Sequence, residues 1–296
     1  MRPDLNDAKA RRRGRLLGLV LTLALVGSLI MAPTALAGFI TPKAGGSPNE
    51  NHIASLYKIV LYIAAVVFVI VEGALVYSVF KFRAKKSRVA AQIHGNTPLE
   101  IGWTIGAALI LVILTVVTFV KLGGIINPPN TSPNGFLSAS LTAPTPPNGK
   151  KLTICVTGRQ FIWRYTYGAS CNNNAFGTKA PYSYQEMVVP ANTTVVLKIQ
   201  SSDVIHSWWV PSLGGKVDAV PGYTTYTWFK APHAGSVYRG QCAQLCGREH
   251  YAMTAKVKVV TPDQYQAWLK QQSAMISAAN AQVTQLRAIL TQNGNL

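Results

Sequence analysis

Charge is scarce in this chain, and acidic charge scarcest. Of 296 residues only 13% are charged, with 10 Asp and Glu against 28 Lys and Arg. A soluble domain of this size carries about twice that share of charge, so an all-soluble protein is excluded. Cysteine is also rare, at four residues, too few for a disulfide-dense scaffold. No C-x-x-C-H motif occurs, so none of these residues attaches a c-type haem. No cysteine follows the first apolar run as a lipid-attachment site. No internal repeat is visible, which excludes a solenoid.

What is abundant is apolar sequence, 49% of the chain, gathered into three long runs. The first spans about residues 16–35. It follows Arg11-Arg12-Arg13-Gly14-Arg15 and ends in Ala35-Leu36-Ala37. A basic start, an apolar middle and an A-x-A end predict a secretory signal peptide over residues 1–37; a retained signal anchor is the rival. Residues 38–56 then form a short external segment. The second run, Ile59–Phe80, and the third, Ile101–Leu122, are each long enough to cross a bilayer as a helix. They predict a transmembrane hairpin over 57–125. Between them, Lys81, Arg83, Lys85, Lys86 and Arg88 crowd one short loop. Positive loops stay on the cytoplasmic side, so both ends of the hairpin and everything after it lie outside. Glu72 falls inside the first span, where an ionisable group faces protein or water rather than lipid.

Residues 126–150 are rich in Pro, Asn, Ser and Thr and read as a linker. Short β-rich runs follow at 152–156, 160–167, 186–190, 194–201, 223–230, 236–239 and 255–260. They are bounded by turn residues and predict a β-sandwich or barrel over 151–261. From Pro262 to residue 296 the composition turns helical, with Thr261-Pro262-Asp263 as its start signal. The predicted architecture is therefore a membrane-anchored all-β protein: a two-helix hairpin, a β-sandwich or barrel, and a C-terminal helix.

One run carries chemistry. Gly240-Gln241-Cys242-Ala243-Gln244-Leu245-Cys246-Gly247-Arg248-Glu249-His250-Tyr251-Ala252-Met253 has the pattern C-x3-C-x3-H-x2-M. Thiolate, imidazole and thioether are a soft set that selects copper over hard cations. Two cysteines exceed the need of a single blue-copper ion, and two thiolates can bridge two ions. Structural zinc is the alternative, but zinc has little use for Met253 and the spacing is short for a finger. A Cys242–Cys246 disulfide would leave His250 and Met253 unexplained. A second imidazole is available at His206, in Asp203-Val204-Ile205-His206-Ser207-Trp208-Trp209.

The runs Asp203–Gly222 and Gly240–Met253, in that order and separation, resemble subunit II of the haem–copper cytochrome c oxidases. The resemblance implies a cupredoxin-like fold for residues 151–261 and a dinuclear copper centre, CuA. Its implied ligands are the imidazoles of His206 and His250, the bridging thiolates of Cys242 and Cys246, the thioether of Met253, and the backbone carbonyl of Gln244. The implied activity is that of an aa3-type oxidase. Electrons pass from a c-type cytochrome through this subunit to haem in subunit I, where oxygen is reduced to water and protons are pumped. Subunit I and the other oxidase subunits are the implied partners, in the plasma membrane of a bacterium with the β domain on the periplasmic side.

Further positions are similar to the family or depart from it. Leu99-Glu100-Ile101-Gly102-Trp103-Thr104 is similar to the segment where Glu100 would lie at the mouth of a proton pathway; a carboxylate at a helix start also serves as a cap. Gly158–Tyr167 looks like the aromatic strand near the donor dock. Phe161 stands where many relatives have Trp, which leaves Trp163 or Phe161 for electron uptake. Gln244 replaces a common Glu, losing the anionic oxygen that hard cations prefer, so a magnesium site is not carried over. Asp218 matches a position near the interface with subunit I, and Tyr223 replaces a common Arg there.

From Pro128 onward there are 14 Lys and Arg against 5 Asp and Glu, a surplus of nine positive charges. A basic donor would be repelled, so the expected donor has an acidic face or is tethered. Export and membrane spans exclude nucleic acid as the partner of this basic surface. Cys155 and Cys171 fall outside the copper motif, and a disulfide between them suits an exported domain. A quinol oxidase subunit II would share the fold but lack the cysteine pair. A free-standing copper carrier would not need two spans and the Glu100 segment.

Overall fold

The computed structural model describes residues 41–42, 45–83, 92–128, 151–168 and 180–293. The signal region, the basic loop from residue 84, most of the Pro-rich linker and Cys171 lie outside the described residues.

Among the described residues, two long helices come first. Helix α1 runs Pro48–Lys81 and α2 runs Thr97–Ile126. Each has a proline in its first turn, where its missing N–H costs nothing. Asn96 caps α2: its Oδ1 accepts from Leu99 N, while Glu100 Oε1 accepts from Asn96 N. At about 1.5 Å per residue these helices are roughly 45–50 Å long, more than the ~30 Å hydrocarbon layer. Phe68, Val69, Ile70 and Val71 are each more than half exposed. Four consecutive positions point in all directions round a helix, so α1 is apolar on every face, as a helix bathed in lipid or partner subunits must be.

Helix α1 begins eleven residues before the apolar run, inside the segment expected to be external chain. Its first turns are polar because they meet the β domain: Asn49, Glu50 and Ala54 are buried. Asn49 Nδ2 donates to the carbonyl of Trp228 at 2.7 Å, and Lys230 N donates to Ser47 Oγ at 3.0 Å. Trp228 Nε1 donates to the carbonyl of Ile125, in the last turn of α2, at 3.0 Å. The outer ends of both helices are thus tied to one strand end of the domain.

That domain is a sandwich of two five-stranded sheets. Its strands are β1 (Lys151–Arg159), β2 (Ile162–Tyr167), β3 (Tyr182–Tyr184), β4 (Glu186–Pro190), β5 (Thr194–Ser201), β6 (His206–Trp209), β7 (Val217–Ala219), β8 (Thr225–Phe229), β9 (Val237–Cys242) and β10 (Thr254–Val260). One sheet has the order β3-β2-β1-β5-β8 and the other β4-β10-β9-β6-β7. The pairs β1–β5 and β10–β4 are parallel; the remaining pairs are antiparallel. β10 shows why the sequence folds so: Ala255, Val257 and Val259 are buried while Lys256 and Lys258 between them are not, the period-two pattern of a strand with one wet face. Trp163, Tyr165, Trp208, Leu197 and Val257 fill the space between the sheets. β3, β6 and β7, three or four residues each, were not among the runs expected from sequence.

Helix α3 (Pro262–Gln292) opens with a capping box between Thr261 and Gln264. Its first turns pack through Tyr265 and Trp268 onto Tyr167, the Trp268 ring 4.9 Å away edge-on. Farther along, Met275, Val283, Leu286 and Ile289 are exposed. The hairpin, the sandwich and the final helix are the architecture the sequence predicts.

Candidate metal centre

The centre is built where three strands end together. β9 finishes at Cys242 and β10 begins at Thr254, and their register closes the intervening loop on itself: Cys242 N donates to the carbonyl of Met253 at 2.9 Å. β6 lies on the other side of β9, with Trp208 opposite Cys242 and Ala243 N donating to the carbonyl of Ser207 at 2.8 Å. That pairing sets His206, the first residue of β6, beside the loop although 36 positions separate it from Cys242. A single 3₁₀ turn, His250–Ala252, coils the end of the loop so that His250 and Met253 face back toward it.

The six expected ligands converge. Cys242 Sγ lies 3.9 Å from His206 Nδ1 and 3.2 Å from the carbonyl of Gln244. Cys246 Sγ lies 3.5 Å from His250 Nδ1 and 3.9 Å from Met253 Sδ. The ligand atoms of His206, Cys242 and Cys246 all fall within 4.8 Å of one another. Donors about 2.0–2.3 Å from a tetrahedral ion sit roughly 3.3–3.8 Å apart, so small side-chain adjustments would let these groups share a metal. Cys242 and Cys246 are free thiols, not a disulfide. They are buried, as are His206 and Met253; soft sulfur donors in a dry, shaped cavity fit a thiophilic metal ion.

Asp203 had no role in the sequence reading, and it holds His206 in place. Its Oδ1 is 2.9 Å from His206 Nε2, which leaves Nδ1 free toward the cysteines. The carboxylate is itself held by the N–H groups of Gln160 at 2.8 Å and Val204 at 2.7 Å. A carboxylate behind a ligating imidazole fixes its tautomer and raises its basicity. Its position three residues before His206 was the available signal. Burial alone would raise the Asp203 pKa; the hydrogen bonds from Gln160, His206 and Val204 outweigh it and lower the value. For His206, burial works toward the neutral form, but the contacts with Cys242 and Asp203 prevail and raise its pKa. The two thiols split. Burial opposes ionisation of Cys242, yet hydrogen bonding from His206 and the N–H groups of Ser207 and Gln244 lowers its pKa. Burial and then the neighbouring Cys242 charge raise that of Cys246.

The remaining expected positions lie nearby or elsewhere. Trp163 is fully buried and meets His206 edge-on at 5.8 Å between ring centres. Gly158 faces the same imidazole: a Cβ there would come 2.8 Å from His206 Cδ2, so only glycine lets the ring lie so close. Phe161 is half-buried against the copper-motif loop at Gly247, whose φ of +139° and contacts with Gln160 and Phe161 leave no room for a Cβ. Leu245 and Tyr251 stand out from the loop into solvent, 76% and 80% exposed. Glu100 is far from this centre in sequence and fold, and its carboxylate serves the N-terminus of α2. Cys155 is disulfide-bonded.

Comparisons with known proteins bear on both halves of the molecule. The family described as cytochrome c oxidase subunit II, periplasmic domain, matches residues 152–260, and that described as cytochrome c oxidase subunit II, transmembrane domain, matches 36–120. Cytochrome c oxidase subunit 2 of Cereibacter sphaeroides is 33% identical over 266 residues, covering 78% of this chain and 81% of the relative. The protein of the same name from Alkalihalophilus pseudofirmus is 33% identical over 232 residues, covering 77% of this chain and 61% of the relative. Among solved structures, the periplasmic domain of subunit II of cytochrome oxidase from Bradyrhizobium japonicum is 30% identical, with a TM-score of 0.38, covering 43% of this chain and 96% of that one. With its apolar hairpin and its sandwich both matched, the chain belongs to the cytochrome c oxidase subunit II family, whose members are part of a haem–copper oxidoreductase complex.

Proposed function

We propose that this chain takes up electrons for an aa3-type cytochrome c oxidase through a dinuclear copper centre. The observation that carries the reading is the pair of free, buried thiols, each beside its own imidazole. Six donors exceed what one tetrahedral ion uses. Two ions that share both thiolates need one nitrogen and one weak donor each, and His206, His250, Met253 and the Gln244 carbonyl supply that number. When bound, the copper pair supplies a one-electron redox couple shared between two metals. The protein's part is to hold the ligands before the metal arrives: β6, β9 and β10 fix them by backbone register, and Asp203 fixes the His206 ring. A site that cannot relax reorganises little when its charge changes.

The donor is a c-type cytochrome with an acidic face, or one tethered within a larger assembly. Leu245 and Tyr251 offer exposed apolar contact on the copper loop, the fully exposed Arg248 side chain beside them is cationic, and the domain carries the positive surplus noted above. Phe161 lies at the surface end of the route and Trp163 lies inside against His206; we assign electron uptake to this pair. Glu100 contributes to a proton pathway of subunit I in addition to capping α2. A bridged Cys155 supports the Cys155–Cys171 disulfide that suits an exported domain. The hairpin lies in a bacterial plasma membrane with the sandwich on the periplasmic side, beside subunit I.

A quinol oxidase subunit would not keep two thiols in this arrangement. Purification from native membranes separates the other rival. Copurification with a haem a protein and two coppers per chain is the expected result. A chain that leaves the membrane free of haem protein while carrying copper would overturn the oxidase assignment.

A further inference from the structure

We propose that Gln160 is a positioning residue that fixes the cysteine loop against the His206 segment; the proposal rests on the reading of this cluster as a metal centre. Gln160 belongs to neither ligand segment. It sits in the turn between β1 and β2, and it reaches both. Its backbone N–H donates to Asp203 Oδ2 at 2.8 Å, and the other oxygen of Asp203 holds the ring of His206 at 2.9 Å. Its side-chain Nε2 donates to the backbone carbonyl of Cys246 at 2.6 Å. The amide therefore grips the very residue whose sulfur lies beside His250 and Met253.

The loop needs such a grip. Cys242 is anchored by sheet hydrogen bonds to Met253 and, through Ala243, to Ser207. Cys246, four residues into the loop, belongs to no strand. Gly247 follows with a left-handed φ of +139°, and a Cβ at that position would lie 2.9 Å from Gln160 Nε2. The loop backbone thus comes close enough to the amide only because residue 247 has no side chain. Gln160 places Cys246 in register with Cys242, and Asp203 makes the same turn the reference for His206.

Gln160 is itself solvent-exposed, so water can replace part of the lost bond. The expected effect is accordingly about fivefold rather than the hundredfold of a lost ligand. The test compares the full-length chain in detergent with Gln160→Glu, which keeps length but sets a carboxylate against a carbonyl, and Gln160→Met, which keeps length without a donor. Two such different replacements guard against a folding defect peculiar to one. Three quantities are read: the rate at which copper is lost to a chelator, the hyperfine pattern of the copper-loaded chain, and the rate of Cys246 alkylation in the copper-free chain. Both variants should release copper and alkylate Cys246 about fivefold faster than the parent, and the hyperfine splitting should show the two copper nuclei becoming inequivalent. Variants that match the parent in all three overturn the proposal. A parent chain that never shows a copper pair removes the reading of the centre instead, and the alkylation rates alone then decide the role of Gln160.

Discussion

The candidate metal centre and the membrane hairpin treat their neighbours in opposite ways. Around the centre, His206 and the two cysteines find their partners within the chain. His206 has Asp203 behind it, Cys242 is tied to Met253 and Ser207 through its backbone and its neighbour, and His206, Cys242, Cys246 and Met253 are buried. Along the hairpin almost nothing is answered. Val69, Phe68, Leu111 and Val120 stay exposed, and α2 buries no residue at all. A site whose work depends on geometry is held by bonds that survive in the isolated subunit. A segment whose work is to lie in lipid and against other subunits leaves its surface unsatisfied until it arrives there. The junction between the two, where Asn49 and Ser47 meet Trp228 and Lys230, combines both habits: polar on the side of the domain, apolar along the rest of the helix.

The contrast can be broken at its strong end first. Cys242→Ser in the assembled oxidase should remove the shared-copper signal and reduce turnover to background, because Cys246 would be left as the single bridging thiolate. Retained turnover at the parental rate would end the account of the centre. On the other side, Val69→Arg places a charge on the lipid-facing part of α1 and should cost about 3 kcal/mol of membrane insertion, read as the fraction of chain resistant to carbonate extraction. Lys258→Glu on the wet face of β10 should leave that fraction unchanged. A smaller effect is expected from Asp203→Asn, which weakens the orientation of His206 without touching a ligand. Copper affinity should fall about tenfold, measured by competition with a chelator, while the insertion fraction stays put. Smallest is Thr261→Ala, which removes the cap of α3 for about 1 kcal/mol. Its trace should appear as faster amide exchange in the first turn of α3, with the copper spectrum unaltered.

Much of this division was legible in the chain before folding. Two apolar runs and the basic loop between them specify the hairpin by composition alone, since lipid demands nothing more particular than length and hydropathy. The copper loop was legible because four donors fall within a dozen residues, so their convergence needs only one tight loop. His206 was reachable through the residues flanking it. What stayed hidden depends on pairing across the sheets. β3, β6 and β7 are too short for a period-two pattern to show, yet β6 is the strand that brings His206 to Cys242. Gln160 owes its role to hydrogen bonds with segments more than forty residues away, and nothing local distinguishes it from an ordinary loop residue, whereas Asp203 offered the local signal of its place three residues before His206. The early start of α1 was masked by Asn49, Glu50 and Asn51, whose polarity reads as external chain; Pro48 in the first turn was the signal that pointed the other way.

The central claim is that Cys242 and Cys246 jointly hold two copper ions as one redox unit. Electron paramagnetic resonance of the native, half-reduced centre in the purified oxidase tests it most directly. The account predicts the wide multiplet of one electron spread equally over two copper nuclei, lost in Cys242→Ser. A simple quartet from a single copper, or a silent site that metal analysis shows to be filled with zinc, would contradict it.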